Sequence, residues 1–87
     1  MFKYTSNTLK KLEEIFKLSG YIIRYEKGNF KSGYCILQDR KVVVVNKYYD
    51  VEAKINCLID IFPQVEIYEK LLPDLLKKFY EQTLQKE

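Results

Sequence analysis

Histidine is absent from the 87 residues, and so is tryptophan. Without imidazole there is no HExxH zinc motif, no Cys2His2 site and no Ser–His or Cys–His pair, because that ring supplies the metal-binding nitrogen or the proton acceptor in each. Glycine occurs only at positions 20, 28 and 33, which leaves no Walker loop and no GxGxxG. A helix end, a turn, and a bulge or point of close approach account for the three. The two cysteines, Cys35 and Cys57, lack CxxC spacing and are too few for a disulfide framework. Both lie in apolar runs and read as reduced, buried small hydrophobes. No apolar run approaches the ~20 residues that span a bilayer, and the first residues carry neither the apolar core nor the cleavage pattern of a signal peptide. The expectation is a soluble cytoplasmic protein, with no metal, no cofactor and no enzymatic activity.

Tyrosine is plentiful, at eight, beside five phenylalanines. Its large ring and polar tip suit half-buried positions and interfaces. The net charge of +3 is uneven. Residues 21–47 hold six basic side chains against two acidic ones, whereas residues 48–87 hold five lysines against eight acids. A basic middle and an acidic end suit an acidic partner, or each other within the molecule or across a dimer.

The chain reads as a single domain over 1–87, with a core from about 8 to 80 and a frayed tail at 85–87. Ser6 or Asn7 can cap a first helix with apolar residues at Leu9, Leu12, Ile15, Phe16 and Leu18, ended by Gly20. Tyr21 to Glu26 reads as a strand, Lys27-Gly28-Asn29 as a turn, Lys31 to Gln38 as a second strand, and Lys41 to Asn46 as a third. Short links predict an antiparallel meander. Val42 to Val45 do not alternate with polar residues, so both faces of the third strand should be covered, by helices on both sides or by another subunit. Asp50 caps a helix over Val51 to Phe62 with a stripe at Val51, Ile55, Leu58, Ile59 and Phe62, stopped by Pro63. Residues 65–72 are a short helix or ordered connection. Pro73 and Asp74 open a last helix whose apolar side is Leu75, Leu76, Phe79, Tyr80 and Leu84. The predicted fold class is α+β, in the order α-β-β-β-α-α, with a small antiparallel three-stranded sheet packed with helices.

The segment from Arg24 to Tyr34 alternates basic and aromatic residues on what reads as a hairpin. Arg24, Tyr25, Phe30, Lys31 and Tyr34 are the candidate partner-binding residues: the rings anchor and the cations set charge complementarity. A homodimer, with a further protein partner possible, is the leading expectation. A single-stranded nucleic acid bound by the same residues with Lys10, Lys11 and Lys41 is the alternative. A thiol enzyme through Cys35 is a third reading, since nearby basic residues would lower its pKa. Carboxylates such as Glu13 and Glu14, or Glu52 and Asp60, sit on polar helix faces and read as solvated.

The run Tyr25-Glu26-Lys27-Gly28-Asn29-Phe30-Lys31-Ser32-Gly33-Tyr34-Cys35, followed by Val42 to Lys47 and Ile55-Asn56-Cys57-Leu58, resembles a family of small uncharacterised bacterial proteins of the Bacteroidetes lineage. The resemblance covers roughly residues 8 to 67 and implies a compact unit in a bacterial cytoplasm, without implying an activity. The element order also resembles the minimal core of zincin-type metallopeptidases. Ala53-Lys54-Ile55-Asn56-Cys57-Leu58-Ile59-Asp60 matches the helix that would carry HExxH there. Ile55 and Ile59 stand at the two ligand positions, so no functional residue carries over.

Overall fold

The computed structural model describes residues 3–28 and 33–84. Helix α1 spans Ser6–Leu18, and Thr5 caps it by accepting the Thr8 N–H at 3.2 Å, slightly earlier than the expected Ser6 or Asn7. The helix ends in a Schellman motif. The Gly20 N–H donates to the Lys17 carbonyl and the Tyr21 N–H to the Phe16 carbonyl, with Gly20 at φ 89°. The rings of Phe16 and Tyr21 meet edge to face at 6.3 Å, the apolar contact that accompanies such an ending.

Three strands follow: β1, Ile22–Glu26; β2, Tyr34–Leu37; and β3, Val42–Asn46. The class and element order are those expected, but the sheet is mixed rather than antiparallel throughout, in the order β1-β3-β2. β2 and β3 pair antiparallel, with Cys35 opposite Val44. β1 runs parallel to β3, with Arg24 beside Val44. The valine strand therefore takes the centre, and β1 and β2 do not form a hairpin. Two features explain the difference from a meander. Seven residues, 27–33, separate β1 from β2, enough to step over one intervening strand at ~4.8 Å spacing. A strand apolar on both faces is also more stable between two neighbours than at an edge. The link from β2 to β3 is a single 3-10 turn, Gln38–Arg40, closed by Lys41 in the left-handed conformation at φ 52°. Asn29 of the expected turn, and the residues 31 and 32 given to the second strand, lie outside the described residues, as does the tail 85–87.

α2 spans Val51–Ile61, capped by Asp50, which accepts the Ala53 N–H at 2.8 Å. Pro63 turns the chain into a one-turn 3-10 helix, Phe62–Gln64. A second such turn at Glu69–Leu71 lies in the connection to α3, Asp74–Leu84. The buried side of α3 is Phe79, Tyr80 and Thr83, with Leu76 half-buried. Leu75 and Leu84, expected on that side, are exposed at 83% and 52%. At about 100° per residue, the stripe centres on Thr83, and these two leucines fall on its opposite flanks.

The core lies between the helices and one face of the sheet. Val43 and Val45 of β3 are fully buried against Leu12, Ile15, Ile55 and Leu58. An aromatic stack joins the helices: Phe16 lies flat on Phe62 at 4.8 Å, and Tyr80 meets Phe62 edge-on at 5.0 Å. Ile23, Tyr25, Tyr34 and Ile36 pack on the same core from the edge strands. Among the described residues no helix packs on the opposite face, so the expectation of helices on both sides gives way to a two-layer arrangement. No described helix is long and apolar enough to cross a membrane.

Gly33 sits at φ 83°, and a Cβ there would lie 2.4 Å from the Tyr49 ring. Gly33→Ala is expected to lower stability by about 2 kcal/mol or more in urea unfolding, from left-handed backbone strain plus overlap. The loss should be smaller in a Tyr49→Ala background, where only the backbone contribution remains. A neutral Gly33→Ala would contradict the close approach.

Candidate interaction surface

Strand alternation sends Ile23, Tyr25, Val43, Val45, Tyr34 and Ile36 toward the helices and their neighbours the other way. The outward face has three rows set by register. Ile22, Val42 and Leu37 form the first, Arg24, Val44 and Cys35 the second, and Glu26 and Asn46 the third. Ile22 is 59% exposed and Leu37 39%, whereas Val44 is shielded to 8% by its neighbours in the sheet. Cys35 is half-buried here rather than fully buried as expected, because β2 is an edge strand. Five apolar side chains thus share one surface that no described helix covers. Arg24 lies beside them and pairs with Glu26 at 2.7 Å.

The candidate residues of the supposed hairpin are distributed over the sheet. Arg24 belongs to the outward face. Tyr25 points to the helix side, where its hydroxyl donates to the Glu13 carboxylate and Lys54 lies 4.8 Å from its ring centre. Tyr34 also faces the helices, but from the other edge, and donates to Asp60 at 2.8 Å. Two strand spacings, ~10 Å, separate β1 from β2, so Tyr25 and Tyr34 do not form one patch. Phe30 and Lys31 lie outside the described residues.

The cations considered for nucleic acid are also dispersed. Lys41 donates to the Tyr68 hydroxyl at 3.2 Å and lies near the rings of Tyr68 and Tyr21. Its pKa is raised, first by the Tyr68 hydrogen bond. Lys11 lies 5.4 Å from the Phe79 ring, and Lys10 is exposed on α1. Cys57 is buried and not in a disulfide, and burial, followed by the charge of Asp60, pushes its thiol up. A reactive thiol needs the reverse shift. Ile55 is fully buried and Ile59 half-buried, so α2 offers aliphatic packing at both positions. Among the described residues no three His, Cys, Asp or Glu side chains are grouped so as to hold a metal ion.

Sequence reasoning singled out the valine run but missed the surface it shares with Ile22, Leu37 and Cys35. The signal was present in the paired apolar residues Ile22-Ile23 and Ile36-Leu37, which leave each edge strand apolar on both faces. Only the register shows that the outward members are contiguous. Comparisons with protein-family models, curated proteins and solved structures found no match.

Burial first, then the hydrogen bond to Glu13 and the charge of Glu13, push the Tyr25 phenol far above its ordinary value. Tyr34 and Tyr80 are also raised, each chiefly by burial. A raised pKa means the folded state holds the proton more tightly. The associated stability is therefore intact below the unfolded value of about 10 and lost as pH rises above it. Tyr25→Phe should cost about 1 kcal/mol at neutral pH and make stability fall less steeply above pH ~10. Chemical denaturation at a series of alkaline pH values measures both. An unchanged slope would remove Tyr25 from the titration.

Proposed function

We propose that this chain is a non-catalytic interaction protein that forms a homodimer through the outward face of its sheet. The observation that carries the reading is the apolar surface of Ile22, Val42, Leu37, Val44 and Cys35, with two large members well exposed and no described helix over it. Burying an aliphatic side chain of this size stabilises a complex by about 1.5–3 kcal/mol. A two-layer fold can satisfy such a face by stacking it on a second sheet, ~10 Å away.

A second copy fits the charges of this face. Arg24 and Glu26 are close neighbours on one strand. A two-fold axis would let each arginine approach the partner's glutamate, as an isologous interface requires. Three strands of up to five residues give a face of only ~14 by 17 Å. That is well below the ~800 Å² per partner of a standard interface. The dimer is therefore weak and concentration-dependent unless the rim contributes.

Light scattering after size exclusion, repeated over a wide concentration range, tests this. The wild-type protein should shift from monomer to dimer as concentration rises. Ile22→Lys and Leu37→Lys should each weaken association by about tenfold or more, while circular dichroism stays native because both positions are exposed. Added salt should change the dimer little, since apolar burial drives it. A monomer at every concentration would overturn the homodimer. Tight binding of a single-stranded oligonucleotide that collapses with salt would favour the nucleic-acid reading instead.

A further inference from the structure

A separate groove of about 850 Å³ runs along α2, bounded by Tyr34 at the start of β2, Tyr49 before α2, and Thr83 and Leu84 at the end of α3. Its volume lies in the range of small-molecule sites. Ala53, Ile59, Pro63 and Leu84 contribute apolar surface, and Asp60 with the Tyr34 hydroxyl supplies polar atoms near the C-terminal end of α2.

Asp60 is exposed but oriented. Its Oδ2 accepts from the Tyr34 hydroxyl at 2.8 Å, and Gln64 Nε2 donates both to that hydroxyl at 3.0 Å and to the Asp60 carbonyl at 3.1 Å. These bonds hold the carboxylate at the groove while leaving its second oxygen available. Among the described residues no lysine or arginine lines the groove, and none pairs with Asp60. The charge of Asp60 is felt nearby, since it helps to raise the pKa of the Cys57 thiol, after burial. A carboxylate beside an aromatic ring attracts a cation through both charge and the ring quadrupole. It repels anions, and the adjoining aliphatic wall favours a hydrocarbon tail.

We propose that this groove binds a small organic cation of the alkylammonium class, with its head on Asp60 beside Tyr34 and its tail along Ile59, Pro63 and Leu84. The site lies on the helix side of the molecule and does not depend on the dimer face.

The test is a titration of the whole protein followed by amide chemical shifts in two-dimensional NMR, using n-hexylamine, n-hexanol and hexanoate at neutral pH. Hexylamine should shift the amides of residues 56–60 saturably, at a concentration about tenfold below that needed for hexanol, as expected for one charge-assisted contact. Hexanoate should produce no saturable shift. Asp60→Asn, at an exposed position, should keep the native spectrum and reduce hexylamine to the level of hexanol. Tyr34→Phe, which frees the carboxylate but keeps the ring, should weaken hexylamine by less. Equal affinity for amine and alcohol, retention of the preference in Asp60→Asn, or no saturable shift with hexylamine would each overturn the proposal.

Discussion

Hydrogen bonding on both sides of β3 is the constraint on which the other elements depend. Among the described residues, β1 and β2 both pair with this strand and not with each other. Val43 and Val45 place their side chains under the helices, where burial is complete. A charged residue at either position would be stranded against Leu12, Ile55 and Leu58. The aromatic stack of Phe16, Phe62 and Tyr80 then ties α1, the turn after α2 and α3 together. Among the described residues the helices cover one face of β3 and none packs on the other, which leaves the outward apolar surface.

Tyrosine makes up for the small size of the core. Several phenols rest their rings on the apolar interior and use the hydroxyl to reach a second element. Tyr21 donates to Gln38, Tyr25 to Glu13 and Tyr34 to Asp60, while Tyr68 accepts from Lys41. These contacts join α1 to β1, the sheet to α2, and the turn before β3 to the connection before α3. The amide of Gln38 extends the set by donating to the Gln64 carbonyl at 2.9 Å. A buried hydroxyl does similar work at Ser19, which accepts the Tyr68 N–H at 3.0 Å. Phenylalanine could supply the area but not these links.

The helices were legible because their signals are local. Asp50, Pro63 and Gly20 mark ends whose hydrogen bonding depends on a few neighbours, and the stripe through Ile55, Leu58 and Phe62 follows from period alone. The strands were legible as strands, and the four valines announced a position covered on both faces. Strand order was not legible, because pairing is a long-range choice and the seven residues of 27–33 permit either a hairpin or a step over β3. That one choice governs the candidate surface: it separates Tyr25 from Tyr34 and unites Ile22 with Leu37. Leu75 was misplaced for a different reason, since a helix three turns long allows more than one apolar stripe, and packing against Phe62 selects the one through Phe79 and Tyr80.

The position of β3 in the chain has a consequence for how the protein is made. Both edge strands emerge from the ribosome before the strand that joins them. Until residues 42–46 are available, β1 and β2 have no described partner in the sheet, and the apolar residues of Ile22-Ile23 and Ile36-Leu37 stay unpaired on the nascent chain. β2 can then close onto β3 through a four-residue link, whereas β1 must be recruited across a longer loop, a slower event. Vectorial synthesis thus leaves a period in which two sticky, edge-forming segments are exposed together, when capture by a chaperone or by another nascent chain competes with completion of the sheet.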